Sequence, residues 1–130
     1  MTKGDIFENE FKINKNIYDG FIKLFNDKNP LHTDEVFAQN KGFKSIVMHG
    51  NILGGFLSYF IGECLPTKNV IIHSQEIKYT KPVYINELLS FKAEIIGIYK
   101  SVNAVEFKFC FEDNESNTIA KGKIQIGIIQ

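Results

Sequence analysis

The chain is short of cysteine and of any surplus of one charge, and each shortage closes off a class of protein. Its two cysteines, Cys64 and Cys110, stand far apart and match neither a redox pair nor a metal-ligand spacing. They are expected to be reduced thiols of a cytosolic protein, not staples of a disulfide scaffold. Lys plus Arg balances Asp plus Glu at 15 each, and no basic block stands out. The electrostatic footprint of a nucleic-acid binder is therefore missing. The longest apolar stretch, residues 52–62, carries Ser58 and Tyr59 within it. It falls short of the roughly 20 residues a bilayer span needs. Residues 1–10 contain Asp5, Glu8 and Glu10 where a secretory leader would be apolar. No glycine-rich phosphate loop, repeat or linker appears. The expectation is a soluble cytoplasmic domain with no membrane or nucleic-acid partner.

What the chain does have is hydrocarbon. Apolar residues make up 44% of 130 positions, with 12 Phe and 5 Tyr, enough for one domain spanning residues 1–130 with a real core. Residues 7–13 alternate loosely and predict a first strand. Asn16 reads as an N-cap, with Asp19 acting back on the helix start. Ile17, Phe21, Leu24 and Phe25 then share one helical face. That helix should end near Asn26, because Pro30 drives Asn29 out of the helical region. A short helix around residues 34–39, opened by Asp34 and Glu35, is closed by Gly42. Residues 51–64 form the most apolar helix, with stripes Ile52/Phe56/Phe60 and Leu53/Leu57/Ile61, so other structure should wrap it. Pro66 marks its stop. From there the period changes to two: residues 70–80, 88–98, 102–112 and 118–128 read as strands, the last pair joined through a polar turn at 113–117. This pattern predicts an α+β domain, an antiparallel sheet curled around a central helix.

Chemistry gathers in one loop. Asp27, Asn29 and His32 surround Pro30 just after the first long helix. A turn at Asn29–Pro30 could fold the carboxylate and the imidazole onto a shared water, and histidine gains and loses protons readily. Read alone, the same residues also fit a helix-end Asp and a surface His. Asn51, Gly55, Ser58 and Gly62 form a small or polar stripe on the central helix, either facing a ligand or packing closely on the sheet. His49 is placed to pack and shape the turn before that helix, and His73, beside Ile72, reads as a core or interface histidine. The three histidines lack metal-ligand spacing.

Asp27-Lys28-Asn29-Pro30-Leu31-His32, with Ala38 six residues further on, resembles the hydratase signature of the MaoC-like family. The likeness continues through Ile46-Val47-Met48-His49-Gly50, at the entry to the central helix, and Tyr79-Thr80-Lys81-Pro82-Val83, a strand ending in Pro-Val. The resemblance implies a hot-dog fold and an (R)-specific enoyl-CoA hydratase or 3-hydroxyacyl dehydratase. It implies Asp27 and His32 as the catalytic pair, and Gly50 as a backbone donor to the thioester carbonyl. Ser58 would lie near the reacting water, with Asn29, Asn51 and His49 among the residues around the substrate. It implies no metal or other cofactor, since coenzyme A or acyl carrier protein belongs to the substrate, and a homodimer. Phobic residues in 107–111 and 124–128 are expected at an exposed edge that such a partner covers.

The sequence departs from that pattern at three places. Phe25-Asn26 stands where a small residue and glycine are usual, Asn51 where an apolar residue is, and Asn86-Glu87 where Gly-Asp often follows the Pro-Val strand. Two rival readings accompany the resemblance: a hot-dog thioesterase and a non-catalytic acyl-thioester-binding subunit. The first usually needs a carboxylate on the central helix, where only Glu63 near the far end is available. The other dehydratase type of the fold needs such a carboxylate too, with a His-Phe-Pro-Gly signature that is absent.

Overall fold

Alternation of apolar and polar residues fixes the sheet. In a computed structural model that describes residues Met1–Gln130, Leu89, Phe91, Ala93 and Ile95 all point inward along one strand, and their neighbours point out. Five strands follow in the order β1 (Ile6–Lys12), β2 (Val70–Tyr79), β3 (Leu88–Tyr99), β4 (Ala104–Glu112) and β5 (Thr118–Ile128). They pair in the spatial order β1-β3-β4-β5-β2, every pair antiparallel. Between β1 and β2 lie α1 (Lys15–Phe25), α2 (Pro30–Thr33), α3 (Glu35–Asn40) and α4 (Asn51–Tyr59).

The sheet packs its apolar face on α4. Phe60, at the end of that helix, meets Phe7 and Phe107 edge-on at 5.6 and 5.7 Å, and Phe11 stacks on Phe56 at 4.5 Å. With Phe60 only 1% exposed, its truncation to Ala should cost about 3–5 kcal/mol. A curled antiparallel sheet around one central helix is the hot-dog arrangement.

Several boundaries differ from expectation. Asn14, not Asn16, caps α1, accepting from the Ile17 N–H at 2.9 Å, while Asp19 pairs with Lys15 at 2.9 Å. The central helix does not run evenly to Cys64; it widens into a π-helical turn over Phe60–Cys64. β4 starts two residues late, because a 3-10 turn at Lys100–Val102 and a left-handed Asn103 precede it. The apolar residues of 107–111 and 124–128 are not an exposed edge. They belong to β4 and β5, central strands whose Phe107, Phe111 and Ile126 are fully buried. The real edges are β1 and β2. Along β2 almost every residue is exposed, Ile71 and Ile72 among them. His73 is therefore no core histidine; it sits exposed where the β2–β5 register shifts.

Candidate active site

The segment between α1 and α4 builds the site one bond at a time. α1 stops because Asn26 turns left-handed, φ 62° and ψ 24°, its N–H still reaching Ile22 O. After glycine, asparagine is the residue that best tolerates this geometry, so Asn26 makes the turn expected of the family's glycine. Asn86, the other replacement, also has positive φ, 64°, and Glu87 beside it accepts from the Tyr84 N–H at 2.6 Å.

Asp27 comes next. Its Oδ1 accepts from the Asn29 N–H at 3.2 Å. Asn29 in turn caps α2, accepting from the Leu31 N–H at 3.0 Å with Pro30 in the first turn. The Asn29 side-chain oxygen is thus engaged in holding the turn. One helical turn then carries His32 back toward Asp27. Tyr18 OH donates to His32 O at 2.5 Å, tying α2 to α1. On its other side, His32 Nδ1 lies 2.7 Å from Val47 O. A carbonyl oxygen can only accept, so Nδ1 carries a hydrogen, and in the neutral ring the lone pair is on Nε2.

His49 lies beneath this pair, 2% exposed. Its ring stacks on His32 with centroids 4.1 Å apart, and its Nε2 donates to Asp27 O at 3.0 Å. A carboxylate oxygen of Asp27 and one ring nitrogen from each histidine lie within 4.8 Å of one another. The turn at Pro30 has brought together what the sequence places apart. The same three groups are also the only cluster that could hold a metal ion.

Gly50 follows, at the start of α4. Neither its N–H nor that of Asn51 has an acceptor within the chain, as expected of a helix start, where the dipole is positive. The ring of Tyr79 packs against Gly50, and its hydroxyl faces Asn51 Oδ1 at 3.5 Å. Burial pushes the Tyr79 hydroxyl above its ordinary pKa of 10.0, so it remains a donor at neutral pH.

Two cavities lie here. One, about 480 Å³, is lined by His32, His49, Gly50, Tyr79 and Lys81. The other, about 730 Å³, opens between α1 and α4 among Ile17, Phe21, Leu24 and Phe56, with Asp27 at its wall. Asn51 lines both. Ser58 lines neither: it is exposed, and the second cavity ends at Gly55 and Phe56. The small-residue stripe does not pack on the sheet either, since a Cβ at Gly55 or Gly62 would meet nothing within 4 Å. Tyr79 and Lys81 were not singled out as site residues from the sequence; their only signal was a place beside the Pro-Val motif.

The structure superimposes on the (R)-hydratase from A. caviae involved in PHA biosynthesis with a TM-score of 0.90 at 20% identity, over 98% of this chain and 97% of that one. In sequence, the chain is 32% identical over 88 residues to the (R)-specific enoyl-CoA hydratase of Rhodospirillum rubrum, 68% of this chain and 61% of that protein. It is 31% identical over 78 residues to the (R)-specific enoyl-CoA hydratase of Aeromonas caviae, 60% of this chain and 58% of that one. The chain thus spans about three fifths of the length of these curated relatives. A family model described as MaoC like domain matches residues 5–109. With that match covering most of its length, and the Asp27–His32 turn standing before the central helix, the chain belongs to the family of MaoC-like domains.

Proposed function

We propose that this domain adds water reversibly across the double bond of a trans-2-enoyl thioester, giving an (R)-3-hydroxyacyl thioester, or removes it in the reverse direction. The observation that carries the reading is the Asp27 carboxylate and the His32 ring meeting within 4.8 Å beside the unpaired N–H of Gly50. One water sits between Asp27 and His32 Nε2. Its oxygen bonds to carbon 3, its proton passes to the pair, and the electron pair of the double bond moves toward carbon 2 and the carbonyl oxygen. A proton returned on the same face to carbon 2 completes the addition. The Gly50 N–H receives the charge that builds on the thioester oxygen, a donor worth about 3 kcal/mol in such transition states.

The apolar cavity between α1 and α4 suits a hydrocarbon tail, and the cavity bearing Lys81 suits the carrier end of a coenzyme A or acyl carrier protein thioester. No metal or further cofactor is needed for these steps. Exposed β2 favours a homodimer formed across that edge, with exposed His73 at the interface. Two unpaired thiols, Cys64 and Cys110, favour a reducing cytoplasm. No helix is long and apolar enough to cross a membrane.

Loss of enoyl absorbance with crotonyl-CoA tests the reading. The wild-type protein is expected to turn the substrate over, and Asp27→Asn and His32→Gln should each reduce turnover about 10²–10⁴-fold with circular dichroism unchanged. Full turnover in both variants removes the pair from the mechanism. Tight binding of the thioester without hydration would point to a non-catalytic subunit.

A further inference from the structure

His49 touches both members of the pair and takes no part in the steps proposed above. Its Nε2–H is the one donor to the main-chain oxygen of Asp27, since no backbone N–H in the chain points there. Asp27 itself follows a left-handed turn and is exposed. Its carboxylate accepts from a single neighbour, the Asn29 N–H, so little else fixes where it stands. The ring of His49 is stacked on His32 at 29° and backed by Phe21 at 4.7 Å and Tyr18 at 6.0 Å. It forms one wall of a slot whose other constraint is the Val47 carbonyl.

The remaining nitrogen makes the case. His49 Nδ1 is buried with no hydrogen-bond partner. An orphaned polar atom of this kind is destabilising, and a leucine or phenylalanine would fill the same volume without it. Packing alone gives no reason for an imidazole here. The Nε2–H bond to Asp27 does.

We propose that His49 is the positioning residue of the site. Its Nε2–H fixes the backbone from which the Asp27 carboxylate projects, and its ring face sets the plane of His32. This rests on the catalytic reading of Asp27 and His32, and it goes beyond it by making their relative geometry depend on a third side chain that need not touch substrate.

The experiment is a double-mutant cycle with the rescue variant His49→Gln, whose amide nitrogen can stand where Nε2 stands. His49→Leu should lower kcat about 10²-fold, the scale of misplacing a reacting group by about 1 Å, with KM within threefold. His49→Gln should recover at least tenfold of that loss. In an Asp27→Asn background, adding His49→Leu should cost less than threefold more, which a purely structural role would not predict. In the wild-type protein, histidine ¹⁵N spectra should show the His49 proton on Nε2, a reading independent of whether any variant folds. The inference is overturned by a His49→Leu enzyme with kcat within threefold of wild type, by an undiminished loss in the Asp27→Asn background, or by a proton on Nδ1. If Asp27→Asn alone retains full turnover, the catalytic reading fails first and takes this inference with it. If Asp27→Asn is impaired and His49→Leu is not, only the inference fails.

Discussion

A Cβ placed on Gly50 would stand 2.9 Å from Cε1 of Tyr79, closer than carbon atoms approach. The glycine keeps the start of α4 open to a ligand and lets the tyrosine ring lie flat against it, so two features of the site share one missing side chain.

Gly50→Ala should therefore do more harm to catalysis than to folding. Tyr79 is 45% exposed and can swing aside, so the stability loss should be about 1 kcal/mol, the low end for overpacking. Turnover should fall about 10²-fold, because the displaced ring leaves Asn51 and crowds the carbonyl donor. Thermal melts and kcat/KM on crotonyl-CoA measure the two effects separately. A destabilised variant with normal turnover would take Gly50 out of the chemistry.

Chelation distinguishes acid–base work from metal chemistry at Asp27, His32 and His49. Both histidines already give one nitrogen to a carbonyl, an arrangement that metal-binding histidines share. Dialysis against EDTA is expected to leave turnover unchanged. A loss restored by added zinc would reassign the cluster.

The β4–β5 turn predicts an acid dependence. Asp113 accepts from the Asn117 N–H at 2.9 Å, from the Asn117 side chain at 3.1 Å and from the Glu115 N–H at 2.9 Å. These bonds, the Asn117 backbone N–H foremost, hold its carboxyl below the ordinary 3.8. Because the folded value is the lower one, the unfolded chain binds the proton more readily. The contribution is whole above the unfolded value and disappears as pH falls through the folded one. Urea midpoints followed into acid should decline less steeply for Asp113→Asn than for wild type. Parallel curves would mean the carboxyl adds nothing.

An edge strand with Ile71 half exposed is a template for pairing. Light scattering should give a dimer of the 14.9 kDa chain, and Ile71→Glu should shift it toward monomer. A wild-type monomer at micromolar concentration would leave β2 without its proposed cover.

The strands were legible because their period is set by the pleat, and the breadth of the apolar stripe announced a wrapped helix. The Asp27–His32 meeting was legible only through the motif, since spacing alone could not say which way the Pro30 turn would fold. Asn26 and Asn86 looked like departures because composition does not reveal φ; in three dimensions each occupies the left-handed region a glycine would. The cap slipped from Asn16 to Asn14 because two asparagines two residues apart are equal candidates until β1 ends. Ser58 falls outside both cavities for another reason: helical spacing sets a side chain's azimuth, but not where a cavity beside the helix stops. What periodicity could not give was the contact of His49 with Asp27 and His32, because those partners lie in a loop that has no period.

Asn51 lines both hollows, with hydrocarbon walls on one side and the tyrosine and lysine on the other. Head and tail of a bound molecule would then be judged by different surfaces that share a single residue. Reshaping α1 should retune which tails are accepted while the grip on the carrier stays as it was, so selectivity at the two ends can drift, or be engineered, one at a time.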